Sequence, residues 1–537
     1  MDVGTLNFLW AQTLVAGFAA AGVRHAVISP GSRSTPLALA MLREPRLQTH
    51  IVLDERSAAF FALGLAKADG WPAIVVATSG SAPANWLPAV LEAERASVPL
   101  LLLSADRPPE LHGCGANQTT EQLDLFGSHV RARHALATPY VDFAPASLLA
   151  LAARACEQSR WPHPGPVHLN QPFREPLVPQ ADTPQAPVAS EIPRSTPPLA
   201  QPDRQSITAL ATAISGRPGL IVCGEFPPLP GLPETIAALA AHLDCPVLAE
   251  PLANLRFGRH DKTRLLVRYN RWLGDARIDA KLSGEWVLRL GAFPVTRQLQ
   301  QYLSRPRSVT ALIDAYPRWL DPAAHLTHLL HADPLLACQA LLAAAPAPCP
   351  NGWQQQFAGL EAEAAATAEA SFIPAILEAL TADTPLFIGN SLIIRQFDSL
   401  SGCLDKPLPV FGNRGVSGID GNISTAAGLA AAHGRAVALI GDLTAQHDLG
   451  GLALAREQNL VLIVINNGGG GIFDLLPQKQ LAEFERAWRT PQHLDFAHAA
   501  AAFGIPHHPA HNAAALAEHL QRCQQAGGPH LIEYLTH

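Results

Sequence analysis

The sequence between residues 436 and 471 reads AVALIGDLTAQHDLGGLALAREQNLVLIVINNGGGG. Two unbroken apolar runs, Ala436–Ile440 and Leu460–Ile465, enclose a segment with a helical pattern from Leu449 onward. Unbroken apolar runs that alternate with helices are typical of parallel strands that are covered on both faces. This stretch therefore predicts a strand–helix–strand unit of a doubly wound α/β sheet.

The same alternation recurs along the rest of the chain. The other predicted strands are His25–Ser29, Thr49–Leu53, Ala73–Ala77, Leu100–Ser104, Val167–Leu169, Leu220–Cys223, Val247–Ala249, Trp286–Leu290, Val309–Ile313, Leu386–Ile388, Val410–Phe411 and Leu531–Tyr534. Two proline-rich stretches that cannot hold regular structure, Glu175–Asp203 and Ala345–Pro350, separate them into three blocks. We therefore expect three tandem doubly wound parallel-sheet α/β domains, over residues 1–180, 204–345 and 354–537.

Composition excludes several classes of protein. The chain has 537 residues, 48% of them hydrophobic and 15% charged, so it can bury large cores and is not disordered throughout. A net charge of −7 argues against a nucleic-acid partner. The eight cysteines form no CxxC pair, which favours reduced thiols in the cytoplasm. We expect the apolar segment Leu6–Val23 to form an amphipathic first helix, with no signal peptide and no membrane insertion.

Polar residues and glycines follow the two runs quoted above, as Gly441-Asp442-Leu443 and as Asn466-Asn467 before Gly468–Gly471. In open α/β sheets, ligands bind beyond the carboxyl ends of the strands. Mg²⁺ prefers a few hard oxygen ligands together with phosphate oxygens, and a helix N-terminus favours a diphosphate. Either motif alone could consist merely of turn residues at a strand end. The occurrence of both motifs at this spacing favours a site for a metal and a diphosphate.

These residues resemble the signature of thiamine diphosphate enzymes, in which Gly-Asp-Gly precedes Asn-Asn by about two dozen residues. Leu443 departs from that pattern, whereas Glu55 stands where the family has a glutamate after a second strand. Longer motifs are similar to one branch, the 2-succinyl-5-enolpyruvyl-6-hydroxy-3-cyclohexene-1-carboxylate synthases of menaquinone biosynthesis. They are SPGSRSTPLA (29–38), LDERSAAFFALGLAKA (53–68), TSGSAPANWLPAV (78–90), SADRPPEL (104–111), GANQTTEQ (115–122), GNRGVSGIDG (412–421) and GGIFDLLPQ (470–478).

The resemblance implies thiamine diphosphate and Mg²⁺ (or Mn²⁺) as cofactors. Glu55 is then the catalytic residue, which hydrogen-bonds the aminopyrimidine ring of the cofactor. The implied cofactor contacts are Glu55, Gly80, Ile419, Gly441, Asp442, Leu443, Asn467, Gly469 and Ile472, and the implied metal ligands are Asp442, Asn467 and Gly469. Residues 1–180 would bind the pyrimidine and residues 354–537 the diphosphate and metal. The central block contains no GxGxxG motif, and we expect it to be a spacer.

The branch decarboxylates 2-oxoglutarate and adds the four-carbon unit to isochorismate. The substrate contacts implied by the resemblance are Ser32, Arg33, Arg107, Asn117, Gln118, Arg297, Ser391, Arg395, Arg414, Phe473 and Leu476. Both substrates are dicarboxylates, and guanidinium groups bind carboxylates through paired hydrogen bonds. The arginines in the loops after the strands agree with this requirement. On a helix that starts at Ser391, Arg395 would face the same way as that serine.

The resemblance also implies a homodimer or homotetramer with active sites at the subunit interface, because the Glu55 domain of one chain faces the diphosphate domain of another in this family. Two alternatives remain open: another thiamine diphosphate-dependent carboligase or 2-oxo acid decarboxylase, and a non-catalytic paralogue that binds the cofactor. We expect His507, His508 and His511 to lie in an exposed loop and not in a metal site.

Overall fold

The computed structural model describes residues 1–180, 192–193, 195–367 and 371–536. Three six-stranded sheets follow one another along the chain, and their paired strands run parallel. In each sheet the chain winds outward in both directions from the centre, with helices between successive strands. The predicted fold class, three doubly wound parallel α/β sheets, is therefore confirmed. Part of the first proline-rich stretch, residues 181–191 and 194, lies outside the described residues.

The N-terminal sheet has the strand order β2-β1-β3-β4-β6-β5. Its strands are β1 (His25–Ile28), β2 (Gln48–Ile51), β3 (Ala73–Ala77), β4 (Leu100–Asp106), β5 (Ala132–Ala135) and β6 (Pro166–Pro172). Its helices are α1 (Val3–Ala20), α2 (Thr35–Leu42), α3 (Glu55–Asp69), α4 (Leu87–Ala96) and α5 (Pro145–Arg160). Strands β3, β4 and β6 are buried along their whole length, including the polar residues near the ends of β4 and β6.

The central sheet has the strand order β12-β11-β10-β7-β8-β9. Its strands are β7 (Gly219–Cys223), β8 (Val247–Ala249), β9 (Leu265–Leu266), β10 (Trp286–Leu290), β11 (Val309–Asp314) and β12 (His328–His331). Its helices are α6 (Arg204–Ile214), α7 (Leu232–Leu243), α8 (Ala276–Lys281), α9 (Arg297–Leu303) and α10 (Pro334–Ala344). A further helix, α11 (Trp353–Ala366), buries Trp353 and Phe357 in the core of this sheet. We therefore propose that the central domain extends through α11 and that the C-terminal domain begins after it.

The C-terminal sheet has the strand order β14-β13-β15-β16-β18-β17. Its strands are β13 (Leu386–Ile388), β14 (Val410–Phe411), β15 (Ala436–Gly441), β16 (Leu460–Asn466), β17 (His507–Ala510) and β18 (His530–Leu535). Its helices are α12 (Phe372–Ala379), α13 (Leu392–Leu400), α14 (Asn422–His433), α15 (Asp442–His447), α16 (Leu452–Ala455), α17 (Phe496–Ala502) and α18 (Ala513–Ala526). Single 3₁₀ or π turns occupy 83–86, 109–111, 127–129, 251–253, 269–271, 449–451, 471–475, 477–480 and 485–489.

Four of these strands are absent from the sequence prediction: β5, β9, β12 and β17. Each lies at one edge of its sheet. The last of them corrects the expectation for the histidine segment, because His507 and His508 are half-buried in β17 and only His511 is exposed. An exposed loop was therefore the wrong prediction for the first two histidines.

The first helix also differs from its prediction. Helix α1 packs against α5 and α2, and 72% of its residues are buried, so it is a core helix and not an amphipathic one. Its polar side chains are satisfied inside the fold: Asn7 donates to the carbonyl oxygens of Arg174 and Pro176, and Thr13 to that of Leu9. By length and composition this helix could cross a membrane, but its burial accounts for its apolar character.

The N-terminal and C-terminal sheets share one hydrophobic core through α3 and α14. The two helices cross in backbone contact at Gly64 and Gly428. A Cβ atom at Gly64 would lie 2.1 Å from the carbonyl oxygen of Thr425, and one at Gly428 would lie 2.1 Å from that of Phe61. Because no side chain fits at this crossing, glycine is required at both positions, and the crossing fixes α3 against the C-terminal sheet.

A buried ion pair joins the central and C-terminal parts of the chain. Arg256 and Asp398 are both fully buried, and the guanidinium bonds the carboxylate as well as the hydroxyl of Ser401. The remaining carboxylate positions accept hydrogen bonds of 2.7 Å from Tyr269 and from Asn270. Breaking such a satisfied buried pair costs about 3–5 kcal/mol, so the orientation of α13 relative to the central sheet is firmly held.

Candidate active site

The strongest sequence motif forms a compact oxygen-rich centre at the carboxyl edge of the C-terminal sheet. Asp442 follows β15 directly and is 4% exposed. Its Oδ1 accepts a hydrogen bond of 2.8 Å from the amide of Leu443, and its Oδ2 one of 2.7 Å from the amide of Gly469. Burial raises the pKa of the Asp442 carboxyl, and a cation bound beside it would favour the charged form. A helix begins already at Asp442, and not first at Leu449 as the sequence pattern predicts.

Asn467 follows the neighbouring strand β16, and its Oδ1 is buried without a hydrogen-bond partner. An orphaned buried oxygen is unusual, because leaving such an atom unsatisfied is costly. Beside it the chain turns through Gly469, whose φ is +134°. A Cβ atom there would lie 2.4 Å from the carbonyl oxygen of Arg489, so the glycine is required. The carboxylate of Asp442, this orphaned amide oxygen and a main-chain carbonyl of the glycine run fit the ligand set of Mg²⁺.

Arg489 is a residue of this centre that sequence reasoning missed. Its guanidinium donates a hydrogen bond of 2.7 Å to the carbonyl oxygen of Asn467, and its own carbonyl accepts one of 2.7 Å from Gly470. Its positive charge also lowers the pKa of Asp442, against the effect of burial. Arg489 ends a single π turn, for which the sequence carries no signal.

Glu55 is the first residue of α3, at the contact between the N-terminal and C-terminal sheets. Asp54 caps this helix through a hydrogen bond from the amide of Arg56, and the guanidinium of Arg56 reaches the carbonyl oxygen of His447 at the end of α15. The Glu55 carboxylate is half-buried and has no hydrogen-bond or ion-pair partner among the described residues. The structure therefore leaves the Glu55 carboxylate available to a ligand. His447, whose carbonyl oxygen Arg56 contacts, lies five residues after Asp442 along α15.

The loop 412–421 of the C-terminal sheet is held by the N-terminal part of the chain. Both carboxylate oxygens of the buried Glu92 accept hydrogen bonds from main-chain amides of this loop, at 2.8 and 2.9 Å. Lys67 donates to the carbonyl oxygen of Gly412 and lies 3.6 Å from the same carboxylate. Ile419, near the end of the loop, is half-buried and belongs to none of the hydrophobic clusters of the described residues. Its position suits contact with a ligand better than a role in the core.

Two of the predicted arginines lie side by side at the same edge of the C-terminal sheet. Arg395, in α13, donates a hydrogen bond of 2.6 Å to the main-chain carbonyl oxygen of Ser391, which directly precedes that helix. Arg414 donates to Oδ1 of Asn390 at 2.7 Å, and its Nε is buried without a partner. Burial, and then the charge of Arg414, lower the pKa of Arg395. Neither arginine has an ion-pair partner within the described residues, so an anion at this edge would meet two unneutralised positive charges.

A second pair of arginines, Arg33 and Arg107, follows β1 and β4 in the N-terminal sheet. Arg33 is 2% exposed, and its guanidinium donates to the carbonyl oxygen of Phe173 and to Glu175 at 2.9 and 2.7 Å. Arg107 lies 3.7 Å from the same Glu175 carboxylate oxygen. The Nε atoms of both arginines are buried without a partner. Glu175, which sequence reasoning placed only at the start of a linker, therefore partly neutralises this pair.

The remaining predicted residues of the N-terminal sheet also lie in loops after its strands. The side chain of Gln118 donates to the carbonyl oxygen of Ser79, which places it against Gly80, and Gln122 accepts from the Gly80 amide at 2.8 Å. A Cβ atom at Gly80 would lie 2.8 Å from the Gln118 side chain. Ser32 and Asn117 are exposed.

The central sheet contributes to a small cavity of about 40 Å³ beside Arg414. Glu225 and Glu250 line it together with Phe293 and Ile394. Burial raises the pKa of both carboxyls, and the positive charge of Arg414 acts in the opposite direction on each of them. Sequence reasoning noted these two acids only as residues after strands. Residues of the central sheet thus line a cavity beside Arg414, and we propose that this part of the chain is more than a spacer.

Other predicted residues lie near the periphery. Arg297 is exposed at the start of α9, and no contact joins it to the other arginines in the described part of the chain. Ile472 and Phe473 are half-buried in the turn 471–475, whereas Leu476 is 36% exposed. Ile472 and Phe473 follow the glycine run directly, and a Cβ atom at Gly470 would lie 2.9 Å from the ring of Phe473.

Two family models match the N-terminal and C-terminal parts of the chain. A model of the N-terminal TPP binding domain of thiamine pyrophosphate enzymes matches residues 10–127, and a model of their C-terminal TPP binding domain matches residues 403–534. A 2-succinyl-5-enolpyruvyl-6-hydroxy-3-cyclohexene-1-carboxylate synthase of Dechloromonas aromatica is 56% identical over 532 residues, which cover 99% of each chain. The chain belongs to this synthase family.

More distant members of the family also match most of the chain. The synthase of Geobacillus kaustophilus is 41% identical over 98% of this chain and 95% of its own, and that of Haloarcula marismortui is 40% identical over 92% and 89%. The predicted family and its thiamine diphosphate cofactor are thereby confirmed. The matches include the central part of the chain, which the sequence motifs alone did not cover.

Proposed function

We propose that this protein is a transferase that uses thiamine diphosphate to decarboxylate 2-oxoglutarate and adds the four-carbon unit to isochorismate. The products are 2-succinyl-5-enolpyruvyl-6-hydroxy-3-cyclohexene-1-carboxylate and CO₂, in menaquinone biosynthesis. The observation that supports this most is the unneutralised pair Arg395 and Arg414 at the sheet edge that carries Asp442. A dicarboxylate substrate supplies the negative charge that these half-buried cations lack.

The cofactor supplies an electron sink for the decarboxylation of a 2-oxo acid. In our proposal the carboxylate of Glu55 accepts a hydrogen bond from a ring nitrogen of the aminopyrimidine and thereby favours the protonated ring. Asp442, Asn467 and the carbonyl oxygen of Gly469 hold Mg²⁺ (or Mn²⁺), which neutralises the diphosphate. The remaining cofactor contacts are Gly80, Ile419, Gly441, Leu443 and Ile472.

We assign the substrate carboxylates to the arginines because an unpaired buried charge is costly and a bidentate pair removes that cost. Arg395 and Arg414 provide one cationic group in the C-terminal sheet, and Arg33 and Arg107 provide another in the N-terminal sheet. The other proposed substrate contacts are Ser32, Asn117, Gln118, Arg297, Ser391, Phe473 and Leu476.

We propose that the active form is a homodimer or homotetramer whose sites combine two chains. Apolar side chains beside the proposed site residues support this, because Leu53, Val416 and Leu475 are 83%, 50% and 70% exposed. Mixing inactive Glu55→Gln chains with inactive Asp442→Ala chains tests it. If sites are shared, one site of each mixed dimer regains both native residues and activity returns. If each site lies within one chain, the mixture stays inactive.

We place the protein in the cytoplasm, because all eight cysteines are free and α1 belongs to the core. The direct test of the activity is to incubate the protein with thiamine diphosphate, Mg²⁺, isochorismate and 2-oxoglutarate and to identify the product by mass spectrometry. Formation of the expected product together with CO₂ supports the proposal. A raised melting temperature with thiamine diphosphate but no turnover of any 2-oxo acid would instead favour a non-catalytic paralogue.

A further inference from the structure

Three side chains that bind transition metals meet at the outer edge of the C-terminal sheet. They are His508 in β17, Cys523 in α18 and His530 at the start of β18, and their ligand atoms all lie within 4.8 Å of one another. His530 pairs with Val461 at the beginning of β16, whereas Asn467 follows the end of that strand. At about 3.3 Å per residue the two positions are about 20 Å apart, so this cluster is distinct from the Asp442 centre.

The two histidines already have the spacing of metal ligands. Nε2 of His508 lies 3.2 Å from Nδ1 of His530. Two nitrogen atoms bound to one tetrahedral Zn²⁺, each about 2.0–2.1 Å from the ion, are about 3.3 Å apart. The two rings therefore need almost no movement to share an ion.

The neighbours of His530 hold its ring in the orientation that a metal requires. Its Nε2 lies 3.1 Å from the carbonyl oxygen of Gly527 and donates to it, so the proton resides on Nε2. Its Nδ1 then presents a lone pair towards His508. Metal-binding histidines are typically fixed in this way by a carbonyl that accepts from the other ring nitrogen.

From these contacts we propose that His508, Cys523 and His530 form a zinc-class metal site with water as the fourth ligand. The nearby His519 does not supply that ligand, because its Nδ1 accepts from Arg522 at 2.7 Å and its Nε2 donates to Pro509. Softer imidazole and thiolate ligands favour Zn²⁺ over Mg²⁺, so the two metal sites of the chain select different ions. A bound ion would join the edge strand β17 to β18 and α18.

The binding of Zn²⁺ at this site releases one proton. Cys523 is buried, and burial raises the pKa of its thiol to about 11, so without metal it carries its proton. When Zn²⁺ binds, the proton leaves Sγ for solvent, and His508 carries its own proton on Nδ1 so that Nε2 faces the ion. Burial, more than any other cause, lowers the pKa of His508.

The test is a zinc titration of the full chain saturated with thiamine diphosphate and Mg²⁺. We expect one Zn²⁺ per chain by equilibrium dialysis, with binding weakened at least about tenfold in His530→Asn and in His508→Gln. His511→Asn, an exposed neighbour, is the matched control and should bind as the wild type does. Melting temperatures without zinc establish that each variant is folded.

Two outcomes would overturn the proposal. The first is the absence of stoichiometric zinc in the folded wild type. The second is zinc binding that survives in His530→Asn but is lost in Asp442→Ala, which would place the ion at the other centre. Co²⁺ gives an independent readout, because a thiolate-to-cobalt absorption band should appear in the wild type and be missing in a folded Cys523→Ser variant; the same spectrum in both would exclude the cysteine as a ligand.

Discussion

The amide of Gly469 donates a hydrogen bond of 2.7 Å to Oδ2 of Asp442 and so joins the residues that follow two neighbouring strands. Both the carboxylate and the glycine turn are buried, so their relative position is fixed before any ligand binds. Asn467, between them in space, keeps an unpartnered buried oxygen. We propose that the centre is thereby preorganised for a cation that would neutralise a diphosphate.

Replacing Asp442 with Ala removes the only charged oxygen of this proposed ligand set. We expect half-maximal activity to require much higher concentrations of both Mg²⁺ and thiamine diphosphate, because the diphosphate is less neutralised. Activity titrations in both ligands measure this. Asp405→Asn, whose native side chain is 93% exposed, is the control. If Asp442→Ala showed wild-type requirements for both ligands, Asp442 would not be part of the metal site.

Glu55→Gln keeps the shape of the side chain but removes its charge. We expect thiamine diphosphate still to bind, and turnover to fall by about two or more orders of magnitude, because the protonated ring nitrogen loses its partner. Binding is measured by calorimetry and turnover by CO₂ release. A purified variant that turns over at the wild-type rate would rule out this role for Glu55.

Arg395→Ala tests the assignment of the anion site. Because an unpaired, desolvated charge is costly, we expect kcat/KM for the dicarboxylate donor to fall by an amount equivalent to about 2–4 kcal/mol. Thiamine diphosphate affinity should stay unchanged, since the Asp442 centre serves the diphosphate. Arg456→Ala, an exposed arginine of the same sheet, is the control. Loss of cofactor affinity in place of substrate efficiency would contradict the assignment.

The buried His168 predicts a specific dependence of stability on pH. Burial lowers its pKa to about 4, whereas an unfolded histidine titrates near 6.5. The unfolded chain therefore takes up the proton first, so the contribution to stability is complete above about pH 6.5 and is lost as the pH falls towards 4. The slope reaches at most about 1.4 kcal/mol per pH unit for one such group.

Thermal unfolding at about pH 7.5 and about pH 5 measures this effect. The melting temperature of the wild type should fall more between the two pH values than that of His168→Gln, which lacks the titrating ring. Equal falls in the two proteins would show that His168 does not contribute to acid sensitivity.

The internal strands were predictable from sequence because their burial on both faces requires apolar residues. Strands β3 and β15 are buried on both faces, so each reads as an unbroken apolar run. The four missed strands are edge strands, such as β5 with the sequence ARHA and β17 with HHPA, in which half-exposed positions interrupt the apolar run. An edge strand is specified by its one neighbour and not by its own composition.

The candidate site was predictable to the extent that its residues follow predicted strands. Asp442 contacts the turn that contains Asn467 and Gly469 because β15 and β16 are neighbours, and the sequence pattern identifies both strand ends. The partners Glu175, Arg489 and Glu250 were not predictable, because each reaches its site through long-range packing. Glu175, for example, bonds Arg33 across 142 residues of sequence. No local pattern encodes such a contact.

The most direct test of the central claim compares two donors in the presence of isochorismate. Pyruvate lacks the distal carboxylate that Arg395 and Arg414 are proposed to hold, whereas 2-oxoglutarate carries one. We predict that the wild-type protein with thiamine diphosphate and Mg²⁺ releases CO₂ rapidly from 2-oxoglutarate and largely ignores pyruvate. A higher kcat/KM for pyruvate than for 2-oxoglutarate would contradict the account and favour another thiamine diphosphate-dependent carboligase.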